Sequence, residues 1–140
     1  MPSTPTDVTA FFAAHFPHAL DFGFVIDTLS ADGATGSLAG RPAPLRPGDT
    51  VRGPTLMTLA DTAMYAALIA GEGPERGGRA VTSSLEMHFL HRPRARRIEA
   101  RCRLLKVGRR LAVGAVELFA DDRVAPVAFC TVTYGFPEPG

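Results

Sequence analysis

Residues 53–70 read GPTLMTLADTAMYAALIA, and the reading of this stretch decides the fold. Leu, Met and Ala dominate it, and all three favour helix because they lose little side-chain freedom there. Pro54 suits the first turn, where a missing N–H removes no bond, and Gly53 before it reads as the N-cap. Gly71, Gly73 and Pro74 end the helix. Asp61 is the one charge between Gly53 and Ala70. A helix apolar nearly all round is enclosed by protein, so the rest of the chain has to wrap about it.

Most of that remainder reads as strand. Residues 80–90 (AVTSSLEMHFL) set Leu85, Met87 and Phe89 on one face. From Ile98, the residues Ile98, Ala100, Cys102 and Leu104 alternate with Glu99, Arg101 and Arg103, the pattern of a half-buried strand with one solvated face. Residues 106–110 (KVGRR) form a hairpin turn, 111–119 the next strand, Asp121-Asp122 a turn and 124–136 the last strand. Upstream, residues 7–16 (DVTAFFAAHF) read as a short helix capped by Thr6 or Asp7 and stopped by Pro17. Residues 22–30 read as a strand, Ala31-Asp32-Gly33 as a turn, 34–39 as a weaker strand and the proline-rich 40–50 as a loop. Consecutive strands argue for an antiparallel sheet. One buried helix packed on it makes the class α+β, with a single sheet curled around that helix.

A length of 140 residues suits one domain spanning 1–140. Apolar residues make up 46%, enough for a core, and a net charge of +1 argues against nucleic acid as a partner. No run approaches the roughly 20 apolar residues that cross a bilayer, and the start MPSTPTDVTAFF lacks a basic segment followed by an apolar one. The expectation is no membrane and a cytoplasmic location. Cys102 and Cys130 sit in apolar, strand-like runs and read as buried free thiols. No histidine spacing beside them makes a zinc site, so neither metal nor cofactor is expected.

Asp61 is the first candidate for chemistry. An ionised carboxylate in an apolar helix is costly unless it is paired, hydrogen-bonded or facing a cavity. Its intrahelical neighbours Met57, Thr58, Met64 and Tyr65 include no cation. One reading gives it a distant arginine or another segment to cap; the other makes it a nucleophile or general base in a cleft. The second candidate is the helix start at Gly53, where free N–H groups and the helix dipole can hold an oxyanion. Pro54 has no N–H, so the donor is the Gly53 amide or one from Thr55 onward. Gly53 and Asp61 are eight residues apart, which on one helix is about 12 Å along the axis. One small reacting centre cannot touch both. If both serve one carbonyl, they come from different copies of the chain, as in a two-fold dimer or a dimer of dimers with sites at the interface.

Residues 46–68 (RPGDTVRGPTLMTLADTAMYAAL) resemble the signature of the phenylacetate-degradation type of hotdog thioesterases, relatives of 4-hydroxybenzoyl-CoA thioesterase. In that signature an Asn and a short turn precede His-Gly-Gly, and an Asp follows inside Leu-x-Asp-x-Ala. Leu59-Ala60-Asp61-Thr62-Ala63 matches the last part and Gly53 matches the first glycine. Residues 82–118, including Phe89-Leu90 and the GRRLAV hairpin, resemble the family's strand run. The resemblance implies a hotdog fold, an antiparallel sheet wrapped around one long central helix, and hydrolysis of acyl- or aryl-CoA thioesters. It implies that Asp61 activates water or attacks the thioester carbonyl, that the Gly53 amide polarises the carbonyl oxygen, and that Thr82, opening the next strand, positions the water. Three positions depart from the pattern: Arg52 stands for the His, Pro54 for the second Gly and Arg46 for the Asn. Arg52 either pairs with Asp61 or meets an anionic acyl group.

Arg92, Arg94, Arg96 and Arg97 follow Phe89-Leu90. Their planar, multidentate guanidinium groups suit the phosphates of CoA, with Arg109 and Arg110 extending the same patch; the alternative is a solvated strand start. Met57, Met64 and Tyr65 follow helical spacing, as core or as the lining of an acyl or aryl pocket. His15-Phe16-Pro17 matches a short motif of hotdog dehydratases but lies in the N-terminal helix, and His88 and His91 read as structural or surface residues. The leading expectation is thioester hydrolysis. A non-catalytic acyl-CoA binder of the same fold comes second. A dehydratase would need a histidine–acid pair by the central helix, and an interaction module explains neither Asp61 nor the helix start.

Overall fold

The computed structural model describes residues 3–38, 45–94, 97–121 and 124–138. Helix α1, Pro5–His15, is capped by Thr4. The Asp7 amide donates to the Thr4 hydroxyl and the Thr4 amide to the Asp7 carboxylate, 3.1 and 3.0 Å. This reciprocal box satisfies two otherwise orphaned donors and moves the cap upstream of Thr6 and Asp7. Pro17 ends α1 but also opens a second helix, α2, Pro17–Phe22, because a fixed φ suits the first helical position. Gly23, with φ of 97°, turns the chain out of α2. The strand expected from Phe22 therefore begins at Phe24.

Strands β1, Phe24–Ser30, and β2, Gly33–Leu38, form an antiparallel hairpin. Inside the expected loop, β3, Leu45–Arg46, pairs with β4, Thr50–Val51. Helix α3, Gly53–Glu72, follows, and Arg52 rather than Gly53 is its N-cap. Then come β5, Val81–Phe89; β6, Ile98–Val107; β7, Leu111–Ala120; and β8, Ala128–Gly135. The large strands make one six-stranded antiparallel sheet in the order β1-β2-β6-β7-β8-β5. It wraps α3, which touches all six strands and α1. This is the α+β hotdog architecture.

The periodicities explain the wrap. Ile98, Ala100 and Cys102 of β6, Ala112, Val116 and Leu118 of β7, and Ala128, Cys130 and Val132 of β8 all face the helix and are buried. From α3, Leu56, Leu59, Met64, Leu68 and Ile69 are buried against them, each contributing about 1.5–3 kcal/mol. Gly114 lets the helix approach: a Cβ there would lie 2.5 Å from the Met64 Sδ. Helix α1 closes the open side with Val8 and Phe12, and the Phe12 ring meets those of Phe24 and Tyr65 at 6.1 and 5.8 Å. Among the described residues no helix is long and apolar enough to cross a membrane.

Candidate active site

Asp61 lies half-buried at the middle of α3. Two hydroxyl groups donate to the same carboxylate oxygen: Thr82 Oγ1 to Oδ1 at 2.8 Å and Tyr134 OH to Oδ1 at 2.9 Å. Tyr134 OH also lies 3.1 Å from the Asp61 carbonyl oxygen. Among the described residues nothing donates to Oδ2.

The sheet brings the two donors together. Thr82 and Tyr134 are cross-strand partners in β5 and β8. Alternation through Leu85 and Met87 would send Thr82 to the outer face, but the register shifts between Thr82 and Ser84. This bulge changes the phase of the strand and re-aims Thr82 at the helix. Tyr134 follows Cys130 and Val132 on the inner face and is 3% exposed. Burial, and after it the negative charge of Asp61, pushes the Tyr134 phenol well above its usual range, so it remains a proton donor. Sequence reasoning missed Tyr134. The available signal was its inward phase in β8, since a buried tyrosine hydroxyl needs a partner.

Beside Asp61 opens a cavity of about 310 Å3 whose walls include Phe16, Tyr65, Thr82, Tyr134 and Arg79. Tyr65 stacks on Tyr134 at 6.1 Å and meets Phe16 edge-on at 5.7 Å. Its hydroxyl donates to the Gly78 carbonyl at 2.6 Å, which fixes the ring as a wall. Burial pushes this phenol up as well.

The start of α3 forms a second centre. Thr55 and Leu56 amides both donate to the Arg52 carbonyl, 3.1 and 3.3 Å. Pro54 has no N–H, which leaves Gly53 as the first-turn amide with no partner among the described residues. The Phe89 ring covers it, and a Cβ on Gly53 would lie 3.1 Å from Phe89 Cζ. The Val51 amide donates to the Pro93 carbonyl at 2.8 Å, and Thr50 bridges Arg94. These contacts set Arg92 and Arg94 beside the helix start, where Arg46 and Arg52 are also exposed. Met57 is 37% exposed near the same end.

Other arginines lie elsewhere. Arg97 donates to Asp27 at 3.2 Å and Ser37 at 3.0 Å, tying β6 to β1 and β2. Arg96 lies outside the described residues. Arg109 and Arg110 do not extend the Arg92–Arg94 patch: with Arg76 and Arg79 they line a separate hollow of about 670 Å3 by Glu72 and Phe136, at the far end of α3. Arg52 makes no ion pair with Asp61 within one chain; the two donors on Asp61 are hydroxyls.

Residues 44–127 match the family model described as the Thioesterase superfamily. The chain belongs to this superfamily. Its fold is shared with a candidate thioesterase from Silicibacter sp. TM1040 at 36% identity and a TM-score of 0.84, covering 96% of this chain and 92% of that one. A candidate esterase from Mycobacterium tuberculosis, Rv1847/MT1895, aligns at 25% identity and 0.76, covering 89% and 98%. A point mutant of the phenylacetic acid degradation protein PaaI from Thermus thermophilus aligns at 26% identity and 0.70, covering 86% and 99%. No curated protein matches the chain. A thioester hydrolase of the hotdog kind is what the fold, the family and the hydrogen-bonded Asp61 have in common.

Proposed function

We propose that this thioesterase hydrolyses acyl- or aryl-CoA esters as a homo-oligomer, at sites that combine Asp61 of one chain with Gly53 of a second. The observation that carries this reading is the pairing of a hydroxyl-held carboxylate with a helix-start amide that has no partner among the described residues, both on one rigid helix. They are too far apart along α3 to meet in one chain.

The sheet edge supplies a way to bring them together. β5 is an edge strand; Val81 and Phe89 at its ends are 60% and 52% exposed, and Leu90 just after it is 51% exposed. Such an edge invites pairing with another chain. Antiparallel pairing of two β5 strands about a two-fold axis lays the Thr82 end of one beside the Phe89 end of the other. Thr82 holds Asp61 and Phe89 covers Gly53. The same pairing therefore carries Asp61 toward the second chain's Gly53.

In the reaction the Gly53 amide donates a hydrogen bond to the thioester oxygen as negative charge develops on it. As general base, Asp61 takes a proton from water while the hydroxide adds to the carbonyl carbon. The tetrahedral intermediate then expels the CoA thiolate, which takes the proton back. As nucleophile, the carboxylate adds instead, expels thiolate and leaves an anhydride that water opens. Either course gives free acid and CoA. Thr82 positions the carboxylate or the water. Arg46, Arg52, Arg92 and Arg94 offer the phosphates of CoA a basic rim at the helix start; Arg97, engaged with Asp27 and Ser37, lies apart from that rim. Met57 and Tyr65 contact the pantetheine or acyl group. Unpaired Cys102 and Cys130 accord with a cytoplasmic setting.

Thiol release from a panel of acyl- and aryl-CoA esters tests this reading, with Asp61→Asn alongside. That substitution keeps shape and removes charge, so turnover should fall about 10³-fold while ester binding persists. Binding without turnover in either protein would favour a non-catalytic acyl-CoA binder, the reading that Arg46, Arg52 and Pro54 support.

A further inference from the structure

We infer that Tyr134 is a positioning residue for hydrolysis: together with Thr82 it fastens Asp61 by Oδ1 and reserves Oδ2 as the oxygen that meets water or the thioester. This inference rests on Asp61 being the reacting carboxylate.

Three observations carry it. Both donors fall on Oδ1, at 2.8 and 2.9 Å, and none among the described residues on Oδ2. The Tyr134 hydroxyl is also within 3.1 Å of the Asp61 carbonyl oxygen, so one group spans the main chain and side chain of one residue. A carboxylate whose Oδ1 takes two hydrogen bonds, one of them from a group that also lies against its own main chain, cannot rotate freely about its χ angles, and its second oxygen keeps a fixed direction. Finally, the phenol is itself fixed. Its ring is 3% exposed, lies in β8 and stacks on Tyr65 at 6.1 Å. Rigid support of this kind is what holds a reacting atom within the narrow tolerance that catalysis needs.

The two tyrosines that line the cavity thus have different tasks. Tyr65 gives its hydroxyl to Gly78 and serves as wall. Tyr134 gives its hydroxyl to Asp61.

Tyr134→Phe keeps the ring and deletes the tether. The expected result is a kcat lower by about 10- to 100-fold with KM within about twofold and a folded protein of unchanged oligomeric state. A purely structural role would lower stability and leave the kcat of the folded fraction intact, so a kcat within about threefold of wild type overturns the inference. Should Tyr134→Phe fail to fold, 3-fluorotyrosine placed at position 134 keeps the shape and strengthens the donor. A kcat altered at least about threefold with KM unchanged then supports the inference, and an unaltered kcat overturns it. Asp61→Asn separates the two levels. If it turns over normally, the functional reading fails. If it is inactive while Tyr134→Phe is normal, only the present inference fails.

Discussion

Asp61 shows how little of a carboxylate's setting is a matter of residue type. Its charge in an apolar helix was plain in the sequence, because nothing within a helical turn could neutralise it. Its partners were not. Thr82 came from resemblance alone, and strict alternation would have turned it outward; only the bulge between Thr82 and Ser84 aims it at the helix. Tyr134 was overlooked because an aromatic residue on the inner face of a strand reads as core, although its buried hydroxyl called for a partner. Thr82→Val should lower kcat about tenfold, read in the thioester assay, by removing one of the two tethers on Oδ1. Cys102 and Cys130 behave as the sequence suggested, as buried thiols. Burial pushes both up to about 12, with the Asp61 charge adding to Cys130. Both are neutral in the folded chain, whereas the unfolded chain ionises them from their ordinary value of 9.0. Stability is therefore retained below that value and falls as pH rises from about 9 towards 12. Urea midpoints across this range should drop, and should drop less in a Cys102→Ala, Cys130→Ala variant.

At the scale of elements, long and strongly patterned segments were legible. The central helix, the β6–β7 hairpin and the run of four strands after the helix follow directly from composition and alternation. Short elements were not. α2 was hidden because Pro17 reads as a helix stop, although the same ring geometry opens the next helix. β3 and β4 are two residues each, too short for any period to show. The start of α3 shifted by one residue, from a Gly53 cap to an Arg52 cap, and this matters: Gly53 becomes a helical residue whose amide has no partner among the described residues. Leu68, fully buried between α3 and the sheet, tests whether the helix holds the fold together. Leu68→Ala should cost about 2–5 kcal/mol in urea unfolding. Thr4→Ala, which removes the α1 cap, should cost about 1 kcal/mol and loosen the helix that brings Phe11, Phe12 and Phe16 to Tyr65.

At the scale of the whole molecule, the sheet has two edges, β1 and β5, and β5 carries the threonine that holds Asp61 at one end and the cover of the helix start at the other. In the proposed pairing of two β5 edges, one chain is a pair of half-sites. The separation of Gly53 and Asp61 was legible from numbering alone, since eight residues of helix cannot fold back on themselves. The edge proposed to bring two copies together was not, because strand order depends on pairings between distant segments. Sedimentation should accordingly show a dimer or a dimer of dimers, and an active monomer would count against the shared site.

The most direct test of that shared site is a mixing experiment with two inactive variants. Asp61→Asn lacks the carboxylate, and Gly53→Pro lacks the amide hydrogen at the first helical position, where the fixed φ of proline fits and its Cβ displaces the Phe89 ring by a few tenths of an ångström. Unfolded and refolded together in equal amounts, half of the dimers are mixed, and each mixed dimer has one intact site of two. A shared site gives back about a quarter of wild-type thioester hydrolysis. No recovery from mixed dimers shown to have formed would contradict it, because each site would then draw both groups from a single chain.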